Sequence, residues 1–367
     1  MTALAAVLIV TGFPVIFTSG CLFSVSEASA ATLYLVQQQN DPSPDSRINN
    51  TSGQMTMAGS STEKDTTALS DVPGLTVEFA GEIGYRSDDL KWSIAGDTSG
   101  NNPNILSELT WENLGIVQLA LKNKTIYRGV YFRGYFQYGW IVSGKNQDSD
   151  YEEDNRNDEF SRSNNSADNG STRDLSAGIG YQFNFVNDSF GLTPLVGYSQ
   201  HKQYLKMTDG NQTVTYPGGP PLGPFGGLDS TYDTDWKGPW LGLDAVFRSH
   251  TMAGKEAAVI DKFELGVGFE YHWTDYNAEA DWNLRTDFAH PTSFEHYADG
   301  RGFVISAAWN IFFRNNWALT VNGSYQGWET DPGTDRTFFA DGTTSETRLN
   351  IVEWDTYAIA AGIIYRF

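Results

Sequence analysis

Phe263-Glu264-Leu265-Gly266-Val267-Gly268-Phe269-Glu270-Tyr271-His272-Trp273-Thr274 decides the fold of this chain. Every second residue is large and apolar, and the residues between are small or polar. A period of two is the signature of a β-strand with two unlike faces. The same pattern sets Leu75, Val77, Phe79, Ile83 and Tyr85 against Thr76, Glu78, Glu82 and Arg86. It sets Leu175, Ala177, Ile179, Tyr181 and Phe183 against Asp174, Ser176, Gly178, Gly180 and Gln182. A soluble sandwich would bury the apolar faces as its core. A membrane barrel would turn them to lipid and fill its lumen with the polar faces. The polar faces here are charged and Gly-rich, and the apolar faces end in aromatics at Tyr138, Trp140, Tyr271 and Trp273, as a membrane-interface girdle does. The fold class expected is therefore all-β, a ten-stranded antiparallel transmembrane β-barrel with long extracellular loops.

Composition agrees. The 367 residues hold 45 acidic and 24 basic side chains, a net charge of −21, which argues against a nucleic-acid partner. The one cysteine, Cys21, cannot make an internal disulfide. Residues 1–30 are expected to be a cleaved signal peptide. Apolar runs at Ala3–Val10 and Phe13–Phe17 precede Ala28-Ser29-Ala30, a small-x-small cleavage pattern, although no Lys or Arg occurs before Arg47. Thr18-Ser19-Gly20-Cys21 offers a rival lipoprotein-type site, but without a large aliphatic residue three places before the cysteine. Residues 31–72 are rich in Ser, Thr, Asn, Gln and Asp and are expected to be a flexible segment. The barrel is expected over 73–367, exported to the bacterial outer membrane.

Strands are expected near 75–95, 104–121, 126–143, 173–186, 190–208, 237–249, 262–283, 298–313, 316–330 and 352–367. Short connections at 122–125, 187–189, 250–261 and 314–315 alternate with long polar ones at 96–103, 144–172, 209–236, 284–297 and 331–351. Short turns face the periplasm and long loops the outside. Several strands exceed the ~9–11 residues that span a bilayer, so the barrel should protrude. A ten-stranded barrel lies near the size that side chains fill. The expected lumen network includes Glu82, Glu108, Arg133, His201, Asp244, Glu270 and His272, with Glu78, Gln137, Glu264, Asn322 and Gln326.

The chain resembles the omptins, the ten-stranded outer-membrane proteases, on several short runs. Ser107-Glu108-Leu109-Thr110-Trp111-Glu112 is similar to their second strand. Asp148-Ser149-Asp150-Tyr151 resembles their Asp-x-Asp-Trp motif, Asp158-Glu159 with Ser161-Arg162 their Asp-Glu-Ser-Arg run, and Gly197-Tyr198-Ser199-Gln200 their Ala-Gly-Tyr-Gln strand. Phe263-Glu264-Leu265-Gly266 matches a strand start, and counting on from it places Asp281 on the family's catalytic Asp. The final Ile363-Ile364-Tyr365-Arg366-Phe367 resembles the C-terminal signature of Gram-negative outer-membrane barrels. A nearer resemblance is to the omptin-like barrels grouped with the Protochlamydia outer membrane protein family. It rests on Asn102–Trp111, Asn146–Tyr151, Glu159–Ser163, Asp281–Arg285 and Gly327–Asp331.

The omptin resemblance implies an Asp couple facing an Asp-His couple, with the His as base for attacking water. Here Asn283 stands where that His is expected, and an amide cannot accept the proton. The candidate site residues are thus a vestigial set, Asp148, Asp150, Asp281 and Asn283, with His290 and His296 as substitute bases. Strict alternation from Phe263 also turns Asp281 outward, so an inward Asp281 needs a bulge. Asp148 and Asp150 begin the acidic run Asp148–Glu159, which reads first as a solvated loop, then as a divalent-ion site, and last as a catalytic pair. His201 and His272 fit no metal-spacing motif. Pro217-Gly218-Gly219-Pro220-Pro221 and Pro224, with Gly226-Gly227, make a turn-rich loop without a Gly-Lys-Ser/Thr. No cofactor or metal is implied. The function expected is an omptin-like barrel without a complete protease site, in a structural, surface or narrow porin-like role; the alternative is an aspartyl surface endopeptidase. Outer-membrane lipid, including lipopolysaccharide, is the expected partner.

Overall fold

The computed structural model describes 73–249 and 259–367, together with a short antiparallel pair, β1 (Leu8–Val10) and β2 (Phe13–Val15). The expected signal peptide and the polar 31–72 segment otherwise lie outside the described residues. The barrel strands are β3 (Leu75–Ile94), β4 (Ser107–Tyr127), β5 (Val130–Glu153), β6 (Asn157–Ser166), β7 (Gly170–Tyr181), β8 (Phe183–Phe185), β9 (Phe190–Val214), β10 (Gly223–Pro224), β11 (Asp229–Arg248), β12 (Ile260–Asp281), β13 (Phe294–Phe313), β14 (Trp317–Thr330), β15 (Gly333–Phe338) and β16 (Thr344–Arg366).

Alternation produces two faces, and the sheet closes on itself. In the turn-end half the ring runs β3-β4-β5-β7-β9-β11-β12-β13-β14-β16, and β16 pairs back with β3. Ten antiparallel strands close this ring, as alternation predicts. In the loop-end half β6 replaces β7 between β5 and β9, and β15 replaces β14 between β13 and β16. The wall therefore stays ten strands wide well above the apolar band.

That band is bounded by two aromatic girdles. Near the turns lie Phe79 with Phe367, Trp317 with Tyr365, Phe263 with Trp309 and Phe190 with Phe247. Towards the loops lie Tyr138 with Trp140, Tyr271 with Trp273 and Tyr325 with Tyr357. On β12 the stretch between girdles, Phe263 to Trp273, spans roughly 26 Å at a tilt of about 40°, matching a bilayer's apolar thickness. Val267 and Phe269 lie exposed midway.

Three expectations are corrected. The first turn is not 122–125. Lys122 and Lys124 continue the ladder opposite Tyr135 and Arg133, and the chain reverses at Arg128-Gly129, both with positive φ as a two-residue hairpin requires. Those lysines looked like turn residues because they are polar, but they point into the lumen and pair with Glu82 and Glu78 at 2.7 and 2.6 Å. Secondly, much of the expected long loops is strand: β6, β15 and the upper parts of β5, β9, β11, β13 and β16. Thirdly, Glu108 is not a lumen residue. Register shifts at Glu112/Gly115, with Asn113 at φ 55°, reverse the parity of β4. Above them Leu109 and Trp111 face inward, while Glu108 faces out to Arg156.

Candidate functional site

The lumen is filled in layers. At the turn end, Glu78 binds Lys124 and Arg366, Glu264 binds Lys262 at 2.7 Å, and the cations of Lys262 and Arg366 both lie over the Phe312 ring. In the next layer Arg133 binds Glu270 at 2.8 Å and Asp244 at 2.9 Å. The Tyr131 hydroxyl donates to Asp244, and His272 contacts Glu270 and Ser199 through its two ring nitrogens. Above these, Arg86 bridges Asp88 at 2.6 Å and Asp174 at 2.7 Å, and His201 Nδ1 lies 3.0 Å from Asp174. Gln203 and the Trp354 indole also donate to Asp88. Trp328 stacks on Trp354 at 5.4 Å and touches the rings of both His201 and His272 at 4.8 Å. Towards the loops a fully buried aromatic core follows, with Trp236, Tyr276, Tyr232, Trp111 and Trp92. Arg86, Asp88 and Asp174 complete charge clusters that a reading of single strands did not assemble.

Asp148 and Asp150 stand at the loop-end mouth. The register shift between Gly115 and Ile116 reverses β5, as the one between Glu112 and Gly115 reverses β4, so Asn146, Asp148 and Asp150 share the inward face. Ser107 and Ser161 flank Asp150 on the neighbouring strands. Burial pushes the Asp148 carboxyl well above the ordinary range, and the Asp150 charge adds to this; a bond from Trp282 and the Arg285 cation oppose it. Burial also raises Asp150, against bonds from Ser107 and Ser161. Arg285 itself is bonded to Asp287 at 2.8 Å and lies over the Phe288 ring.

The second half of the expected couple is arranged differently. β12 pairs with β13 without a bulge from Lys262 to Ala280, so Asp281 keeps its outward parity beside Thr231. Its partner is His290, with Nδ1 at 2.6 Å. The inward place goes to Trp282, packed on the aromatic core. Asn283 is a clamp: its amide oxygen accepts from the Asp229 N–H and the Ser230 hydroxyl at 2.9 and 3.0 Å, and its NH₂ donates to the Gly227 carbonyl at 2.7 Å. His296, the other substitute base, is fully buried between the Tyr232 hydroxyl and Asp335 at 2.8 and 3.1 Å.

A closed ten-stranded wall, paired girdles and this mouth agree with the match to the family model described as Protochlamydia outer membrane protein, which covers residues 81–367. The chain belongs to the Protochlamydia outer membrane protein family. As a member of that family it is an outer-membrane β-barrel protein. Among solved structures it is similar to the outer membrane protease OmpT from Escherichia coli, with a TM-score of 0.62 and 15% identity over 80% of this chain and 97% of that one. That likeness is one of fold. The translocator domain of the autotransporter NalP from Neisseria meningitidis also matches, with a TM-score of 0.31 and 12% identity over 82% of this chain and 91% of that one. No curated protein matches.

Proposed function

We propose that this barrel is a closed surface protein whose extracellular tier serves recognition, and that it neither conducts solutes nor cleaves peptides by the omptin route. The filling of the lumen carries this reading: salt-bridged layers and a stacked Trp328–Trp354 pair occupy the bore from the turn end upward. The use of Asn283 as a loop clamp supports the second part. Reconstitution in a planar bilayer is the test. No unit conductance steps are expected, and reproducible single-channel steps would overturn the closed-barrel reading.

An aspartyl surface endopeptidase is the second reading, favoured by the protonation-prone Asp148–Asp150 pair and by the Asp281–His290 contact. Refolded barrel with lipopolysaccharide is expected to leave a dibasic fluorogenic peptide intact. Robust cleavage abolished by Asp148→Ala would install the endopeptidase, with His290 as the base to mutate next.

We also propose export through a signal peptide over residues 1–30, checked by N-terminal sequencing of the mature protein. Lipopolysaccharide is the proposed lipid partner. An outer-wall groove of about 460 Å³, lined by Tyr198, Tyr271, Trp273, Lys237 and Arg301, offers aromatic faces and cations at the upper girdle.

A further inference from the structure

The rim of the mouth carries an uncharged island. From Val214 to Leu228 no residue is charged, in a chain of net charge −21. Tyr216, Pro217, Pro220, Pro221, Leu222 and Pro224 are exposed within it, Leu222 at 63%. Membrane contact does not account for them. Val214 ends β9 sixteen residues beyond the girdle residue Tyr198, roughly 40 Å above the bilayer surface at a tilt of about 40°.

The island is held in shape. Gly223 and Pro224 pair with Gln212 and Asn211 of β9, and the Phe225 N–H donates to the Gly210 carbonyl at 2.8 Å. The Phe225 ring covers Gly210 so closely that a Cβ there would lie 2.1 Å from it. Thr215 donates to the Pro220 carbonyl at 2.7 Å, and Tyr216 meets the Phe160 ring at 5.9 Å. At the far end Asn283 clamps Gly227, Asp229 and Ser230, and exposed Leu284 extends the apolar surface beside Gly227. A braced apolar surface binds with little ordering cost, and so does not resemble a loose solvated loop.

Its border is acidic. Asp158 and Glu159 adjoin Phe160, Asp209 adjoins Gly210, and Asp229 follows Leu228. Arg162 pairs with Glu159, Lys206 with Asp229, and Arg285 beside Leu284 with Asp287, so these charges balance; Asp158 and Asp209 leave the border net negative. An apolar centre inside a negative border complements an apolar centre inside a positive one.

We propose that the 214–228 loop, braced by Asn283, is a docking surface for a protein partner whose contact face has an aliphatic or aromatic centre ringed by Lys and Arg. This deepens the surface-recognition reading and rests on it. Asn283 is a positioning residue here: it acts through the loop and not on the partner.

The test pans a phage-displayed library of random 12-residue peptides on the full barrel in lipid nanodiscs. Enriched peptides are expected to carry an apolar centre flanked by Lys or Arg, to bind Leu222→Ser at least tenfold more weakly, and to weaken at high salt. Leu222 is exposed, so this change leaves the fold intact. Asn283→Ala should weaken the same peptides severalfold while leaving the barrel's gel mobility unchanged. Peptides that lack basic flanks, or that bind Leu222→Ser as tightly as the wild type, would overturn the proposal. So would equal retention on protein-free nanodiscs, or no enrichment at all. Channel steps alongside successful panning would instead defeat only the closed-barrel reading.

Discussion

Asn283 shows how much one side chain changes at a site of this kind. Its three hydrogen bonds use both ends of the amide, and a histidine cannot reproduce that pattern. Asn283→His is therefore expected to weaken the loop-end structure by ~1 kcal/mol per lost bond and to give no gain in peptidase activity. Limited proteolysis of the 214–228 loop with a fluorogenic peptide assay checks both parts. Gain of cleavage would mean that the imidazole finds Asp281 despite its outward parity. The Asp148 carboxyl yields a pH prediction. Its folded-state pKa is raised by burial, so its proton stabilises the folded state below the unfolded pKa, and that contribution is lost as pH rises through the folded value. Asp148→Asn keeps the neutral form at every pH. It should raise the thermal midpoint relative to wild type at pH 7.5, with the gain vanishing near pH 4. A gain that is the same at both pH values would show that burial does not govern this group.

At the scale of elements, the alternation of β12 makes a claim about lipid. Val267 faces outward near mid-band, whereas exposed Glu279 has the same parity above the upper girdle. Val267→Arg should cost ~2–4 kcal/mol on refolding into liposomes, and Glu279→Arg close to nothing. Equal costs would place the bilayer elsewhere on the wall. The paired register shifts of β4 and β5 make a second claim. They turn Leu109, Trp111, Asp148 and Asp150 inward together. Deleting one residue within Glu112–Gly115 should restore strict alternation and expose Trp111, read as a red shift in tryptophan emission.

Across the whole molecule, stability and closure share the same side chains. Trp354 is buried, stacks on Trp328, donates to Asp88 and lies under Arg86. Trp354→Ala should cost ~3–5 kcal/mol in a urea refolding titration. It also leaves Asp88 one donor short beside Arg86. If the aromatic layer is what closes the bore, this variant should be the first to show conductance in a bilayer.

The amino-acid sequence determined the class of fold on its own. Period two, aromatic ends and polar alternate faces suffice because a strand's side chains must point to opposite sides, and only a barrel satisfies both solvents at once. The lumen residues Arg133, His201, Asp244, Glu270 and His272 could be read the same way, since each shares parity with its strand's polar face. Glu108, Asp148 and Asp150 could not. Their facing depends on register shifts in β4 and β5 that no local residue pattern announces, because a bulge is set by pairing with the neighbouring strand. Nor could the sequence assign Asn283 to Gly227, 56 residues away, although it did name His290 as a stand-in base near Asp281. The Asn283–Gly227 contact exists because β11 and β12 lie side by side, which sets the loop before β11 against the loop after β12.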